Sequence, residues 1–183
     1  MNREEAYQLI KEKVKNKNLI KHMLAVEAIM KALAKILGGD EEKWGLTGLL
    51  HDIDYEITEK DPNMHSIVGA DMLSKMGLDN ELVNAVRAHN DMHKIERTTL
   101  LEKALYCVDP LTGLIVAAAL IHPDKKLASI NHNFVLNRFK EKAFARGAKR
   151  EQIKKCSEIG LELEEFVKLG LLAMKNISKE LSL

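Results

Sequence analysis

Apolar residues recur three and four positions apart along nearly the whole chain, and that spacing allows helices and little else. A strand alternates with period two, whereas a helix places i, i+3, i+4 and i+7 on one face. Between Asn18 and Leu37 the stripe is Leu19, His22, Met23, Val26, Met30 and Leu33. Three prolines and 4% aromatic residues leave few strand builders in the 183 residues. The chain is expected to be all-α, one domain over 1–183, and long enough to bury a core without staples.

Stop and start signals divide it. An amphipathic helix runs near Glu4–Lys15, and Gly38-Gly39 ends the helix that follows it. Asp40 caps a third, with Glu41 and Glu42 in its first turn, carrying Leu46, Leu49 and Leu50 toward His51-Asp52. Pro62 opens a helix with the stripe His65, Val68, Gly69, Met72 and Met76, which ends at Gly77. A short helix then places Leu82, Val86 and His89 together. Thr99-Leu100-Leu101-Glu102 is a capping box for a helix on which Leu101, Leu105 and Asp109 share a face. Pro110 is expected to bend or break the chain there, and Leu111–Ile121 reads as buried core, well short of a membrane span. Three more helices are expected from Asn131 onward, the first two separated by Gly147. The last turns Leu163, Phe166, Val167, Gly170, Met174 and Ile177 inward.

Four ionisable residues, His22, His65, His89 and Asp109, fall on these apolar stripes. Burying such groups is costly unless they are paired, hydrogen-bonded or bound to metal. A histidine held by a carbonyl is the ordinary alternative for any one of them. Together with His51-Asp52, a set of four histidines and two aspartates facing one core calls for a joint explanation, and metal ligation supplies it.

The strings around these residues are Leu49-Leu50-His51-Asp52-Ile53, His65-Ser66-Ile67-Val68-Gly69-Ala70, Ala85-Val86-Arg87-Ala88-His89 and Leu105-Tyr106-Cys107-Val108-Asp109. In order and surroundings they resemble the HD-domain metal-dependent phosphohydrolases, in the subgroup that adds two histidines and binds a pair of metals. The resemblance implies an HD-type helical bundle with its metal site between central helices, residues 18–122 forming the core and 123–183 an extension packed on it. It implies that His22, His51, Asp52 and Asp109 hold a first metal and His65 and His89 a second, with Asp52 bridging and His51-Asp52 at the centre of the chemistry. Imidazoles with carboxylates suit Fe, Mn, Co, Ni or Zn better than Mg, and such ions supply hydroxide near neutral pH and clamp phosphate. The implied activity is cleavage of a phosphoester or phosphoanhydride in a nucleotide or other small phosphorylated metabolite. The alternative is a metal-bound regulatory module that senses a nucleotide without turnover. One departure is Tyr55, three residues after Asp52, where relatives acting on dinucleoside tetraphosphates or cyclic dinucleotides usually carry lysine. Asp54 and Glu56 either orient a water or a histidine, or belong to a solvated acidic loop.

A net charge of +1 argues against a dedicated nucleic-acid binder. Two cysteines, Cys107 and Cys156, make no disulfide framework, and the charged start Met1-Asn2-Arg3-Glu4-Glu5 lacks a signal-peptide core. A cytoplasmic, membrane-free setting is expected. Charge is uneven: Asp124–Cys156 holds ten Lys or Arg against three Asp or Glu. This is either a solvated face or a phosphate-receiving lid, with Arg138, Lys142 and Arg146 one turn apart on a helix and Arg146 the favoured phosphate contact.

Overall fold

Side-chain caps set most of the helix starts in the computed structural model, which describes residues 1–183. Asn2 and Glu5 close a capping box at the head of α1 (Arg3–Lys13), and Asn16 caps α2 (Lys17–Leu37), which ends at left-handed Gly38. Asp40 caps α3 (Glu41–Leu50). After a 3₁₀ turn at Pro62–Met64 come α4 (Ile67–Lys75) and α5 (Asn80–Ala88), the latter capped by Asp79. The Thr99–Glu102 box opens α6 (Leu100–Ile121), and Asn131 caps α7 (His132–Lys140). The chain closes with α8 (Arg150–Ile153), α9 (Leu163–Asn176) and α10 (Ser178–Leu181). No strand occurs.

Helix α6 is the axis. By length and composition it could cross a membrane, but 67% of its most apolar window is buried inside the protein. It packs against α2, α5, α7, α8 and α9, and a cluster of 45 buried apolar residues runs from Ala6 to Leu181. Helices α2 and α3 lie closest together. A Cβ at Gly48 would come within 2.9 Å of the Glu27 backbone nitrogen, so glycine there lets the two backbones meet. That contact brings the His22 helix beside the helix that delivers His51.

Four expectations about local structure are corrected. Pro110 does not break the chain, because α6 runs through it. Proline has no N–H for the carbonyl four residues back, and the Tyr106 carbonyl instead accepts from Gln152 Nε2 at 2.7 Å in the core. His65 is not on a helix: α4 begins only at Ile67, after Ser66 in a left-handed conformation (φ 74°). Ser66 is buried and its hydroxyl donates to the Arg87 carbonyl. The missing cap of α4 is supplied from afar, by Asp54 Oδ2 accepting from Gly69 N at 2.7 Å.

The third correction concerns the basic segment. Helix α7 stops at Lys140, so Lys142 and Arg146 lie in the turns beyond it and share no helix with Arg138. Arg150 sets this path. Its guanidinium donates to the carbonyls of Arg138, Phe139, Glu141, Phe144, Ala145 and Ala148. Four helices follow Asn131 rather than three, and Ile177 falls at the junction of α9 and α10.

Candidate metal centre

The six residues His22, His51, Asp52, His65, His89 and Asp109 come together at one place between α2, α3, α5 and α6. His22 comes from the second turn of α2 and Asp109 from the middle of α6. His51 and His89 follow directly on the last residues of α3 and α5. The rings stand edge to face in a chain, with centroids 5.0 Å apart for His22–His51, 5.2 Å for His51–His89 and 5.1 Å for His65–His89.

Hydrogen bonds fix which nitrogen of each ring is free. His51 Nδ1 lies 2.8 Å from the Gly48 carbonyl and His89 Nδ1 2.6 Å from the Val86 carbonyl. A carbonyl only accepts, so both Nδ1 atoms carry the proton. His65 Nδ1 donates likewise to Asp54 Oδ1 at 2.9 Å. Thr112 Oγ1 donates to the Asp109 carbonyl at 2.8 Å, so it accepts from His22 Nδ1 at 2.9 Å. In its neutral form each of the four imidazoles therefore presents an Nε2 lone pair inward, the arrangement in which histidine binds metal.

Around these lone pairs the carboxylates are divided. Asp52 Oδ2 is 3.5 Å from His22 Nε2 and 3.4 Å from His51 Nε2. Asp52 Oδ1 is 3.4 Å from His65 Nε2 and from His89 Nε2. Asp109 Oδ1 lies 3.2 Å from His22 Nε2 and 3.9 Å from His51 Nε2. The ligating atoms of His22, His51 and Asp109 all fall within 4.8 Å of one another, as do those of His51, Asp52 and His89. These are the spacings of neighbouring ligands at roughly 2.0–2.2 Å from a transition metal, and the donor set fits such ions.

Asp54 belongs to this centre rather than to a solvated loop. It is fully buried, orients His65 with one oxygen and caps α4 with the other. Gly69 admits it, since a Cβ there would press on the Asp54 carboxylate at 3.0 Å. Asn90 Nδ2 and His93 Nε2 hold the His65 carbonyl at 3.2 and 2.8 Å. His93 matches no ligand position in the sequence and has a structural part here, while nothing in the sequence assigns a role to Thr112, Ser66 or Asn90. Only Thr112, one turn beyond Asp109, had a spacing that could have marked it. Glu56 accepts from the backbone N–H groups of Lys15 and Asn16 and so fixes the entry to α2.

Above the cluster is a cavity of about 690 Å³ lined by Asn16, Leu19, His22, Asp52, Tyr55, Glu56, Glu59, His65 and Asp109. No lysine or arginine lines it. Tyr55 stands edge-on to the His65 ring, 5.2 Å between centroids. Arg146 is not brought to this place. It lines a separate cavity with Lys140, Lys142 and Lys149, and Arg138 pairs with Glu141. Cys107 is buried and its thiol is pushed up by desolvation. His122 lies beside Asp124 and His132 beside Glu164.

Without a cation, a proton takes the cation's place. Burial disfavours charge on His22, but hydrogen bonds to Asp109 and Asp52 raise it from its ordinary value to about 10. Asp52, despite its own burial, is held well below the carboxylate range by His51 and His22. His22 must lose that proton to ligate. Metal affinity is therefore expected to rise with pH through the neutral range, by about tenfold per unit for one displaced proton, and to level off near 10. For the metal-free fold the sign is opposite: the stability from charged His22 is complete below its unfolded value of 6.5 and lost as pH rises through about 10. Calorimetric titration with Mn(II) in buffers of different ionisation enthalpy will count the proton, and an affinity flat between pH 6 and 9 would contradict it.

A helical bundle with histidines and aspartates gathered at its centre is the build of the HD superfamily of metal-dependent phosphohydrolases. The family model for the HD domain matches residues 19–120, more than half of the chain, and the chain belongs to that family. Similar curated proteins include Ribonuclease Y of Oleidesulfovibrio alaskensis, 28% identical over 98 residues, which are 54% of this chain and 18% of that protein. Ribonuclease Y of Lawsonia intracellularis is 31% identical over 103 residues, 56% of this chain and 20% of the relative. For Ribonuclease Y of Fervidobacterium nodosum the figures are 37% over 73 residues, 40% and 14%. The match thus spans a fifth or less of each relative's length.

Proposed function

We propose that the chain is a phosphohydrolase that uses two divalent transition ions to cleave a phosphoester or phosphoanhydride of a nucleotide or other small phosphorylated metabolite. The observation that carries this reading is the set of four locked imidazoles turning Nε2 inward around a carboxylate whose two oxygens face different pairs. His22, His51, Asp52 and Asp109 would hold one ion, and His65, His89 and Asp52 the other. Fe, Mn, Co, Ni and Zn suit these donors. When bound, such ions supply a hydroxide nucleophile at neutral pH and offset phosphate charge. The protein's own part is to fix the rings through Thr112, Gly48, Asp54 and Val86, and to keep the cavity free of competing cations. With acidic side chains and no lysine or arginine around it, the metal-free cavity repels phosphate. Substrate binding therefore depends on the ions.

Two metals imply a separable second site. Changing His65 and His89 together to alanine is expected to remove one ion of two and leave the other on His22, His51, Asp52 and Asp109. Elemental analysis showing the same content before and after would refute the paired site. For activity, purified protein is screened for phosphate release from nucleotides and dinucleotides with Mn, Fe(II), Co, Ni, Mg and Zn. Loaded protein that releases phosphate from none of them would overturn this small-substrate reading, and would favour nucleotide sensing without turnover if RNA is also left intact.

A second reading is cleavage of an RNA phosphodiester. It is favoured by the name of the relatives and by the cavity where Lys140, Lys142, Arg146 and Lys149 stand without ion-pair partners. Shortening of an end-labelled RNA in the same metal series distinguishes it from release of phosphate from small substrates.

A further inference from the structure

A second cavity, of about 420 Å³, meets the metal centre at His22, which lines both. Its wall continues the face of α6 beyond Asp109, through Thr112, Gly113, Val116 and Leu120, and α2 adds Asn18 and Lys21 at the rim. Thr112 is the group that locks His22, so the cavity begins where one ligand is anchored. Its walls are mainly apolar. Besides His22, the one basic residue among them is Lys21, whose ammonium is tied to Ser182 Oγ at 3.0 Å.

Gly113 is the informative residue here. Glycine inside a helix costs about 1 kcal/mol relative to alanine, and other helix glycines of this chain have a packing reason. A Cβ would meet Glu27 backbone at 2.9 Å from Gly48, Asp54 at 3.0 Å from Gly69 and Leu111 at 2.8 Å from Gly170, and at Gly45 only the flexible Lys31 side chain. At Gly113 it would meet nothing within 4 Å. No neighbour in the fold asks for glycine in the middle of the axial helix, and what its missing side chain leaves open is this cavity.

We propose that the cavity is the subsite for the non-phosphate part of the substrate, and that it takes a nucleoside-sized group with an apolar face. The inference rests on the phosphohydrolase reading and narrows its substrate class: the phosphate lies over the metal cluster, and the organic group extends past His22 along α6. A ring system would lie against Val116 and Leu120, the latter 49% exposed and so free to be covered. Its polar edge would face Asn18 and Lys21. The volume falls within the range of small-molecule sites, roughly 300–1,000 Å³. Inorganic pyrophosphate or a sugar phosphate would leave the apolar wall unused.

The test compares the non-hydrolysable 5′-phosphonate analogue of AMP, called AMP below, with inorganic phosphate by calorimetry on the Mn(II)-loaded protein. The parent is expected to bind AMP more tightly than phosphate, by on the order of tenfold or more from burial of the base. Gly113→Leu adds a side chain at an exposed position of the cavity lining where its Cβ meets nothing, with a gain in helix propensity. It is expected to erase the margin between AMP and phosphate while metal content stays that of the parent. Should that variant not fold, Leu120→Trp narrows the same cavity from its exposed end and carries the same expectation. Equal affinity for the two probes in the parent, or a margin that survives the folded variant, overturns the subsite. Hydrolysis is scored separately. A protein that releases no phosphate but shows the margin and its loss refutes the catalytic reading and keeps the subsite. One that hydrolyses phosphoesters with no margin refutes the subsite alone.

Discussion

Replacing Asp52 by alanine is expected to abolish phosphate release and to strip the centre of most of its metal, with the helical fold retained. Asp52 has one oxygen within 3.5 Å of the His22 and His51 nitrogens, and the other 3.4 Å from those of His65 and His89. Asp109 approaches only His22 and His51. Losing Asp52 therefore damages both halves at once, whereas losing a single histidine damages one. Groups that merely orient metal ligands are worth 10–100-fold in affinity or activity; a carboxylate shared by both ions should be worth on the order of 10³-fold or more. The fold should survive because the apolar core does not include Asp52 and His22 keeps Asp109 as a partner. Circular dichroism checks the helices and elemental analysis the metal. Release within tenfold of the parent, with Mn(II) in excess, would end the assignment of the chemistry to the His51-Asp52 pair.

The second large effect is expected far from the metals, at Arg150. Its five N–H groups are shared among six backbone carbonyls between Arg138 and Ala148. They hold a non-helical run in which Ala145 sits at φ 45°, a conformation that alanine rarely adopts. Arg150→Ala removes every one of these donors. Some carbonyls recover water and others do not, so the loss should be about 2–4 kcal/mol. That corresponds to roughly 5–15 °C in Tm for a chain of this size. Arg150→Lys should rescue little, because an ammonium has three donors and no planar fork. Urea unfolding gives the magnitude, and hydrogen exchange should show protection lost first between residues 141 and 149. An unchanged midpoint in both variants would show that the turns hold themselves.

What the sequence disclosed and what it hid divide along local and distant causes. Caps at Asp40 and Thr99, the stop at Gly38 and the positions of His22, His51, Asp52, His89 and Asp109 were legible because each depends on neighbours within a turn or two. The stripe through Val68, Gly69 and Met72 extends back to His65 and predicts a helix there. Ser66 breaks that stripe by bonding to Arg87, and the helix starts at the next residue, Ile67, with Asp54 capping it at Gly69. Pro110 should have interrupted α6 on local grounds, but Gln152, from a different helix, takes the freed carbonyl. The helical face expected for Arg138, Lys142 and Arg146 is absent for a related reason: Arg150, four residues past Arg146, claims the carbonyls of Arg138, Phe139 and the turns after α7. In each case a side chain outside the stripe satisfies or claims a backbone group, and no periodicity records that.

The two imidazoles at helix ends have a consequence for how this centre tolerates change. His51 and His89 each follow the final residue of a helix and bond back to a carbonyl of its last turn. The electronegative ends of two peptide macrodipoles therefore point at the place where cations would sit, adding attraction that belongs to no side chain. It also makes helix length a ruler. One residue inserted into or removed from α3 or α5 would swing its histidine by about 100° around the axis, away from Asp52, whatever the residue's identity. Substitutions along these helices can accumulate while the ligands stay aimed, but a change of count cannot be absorbed.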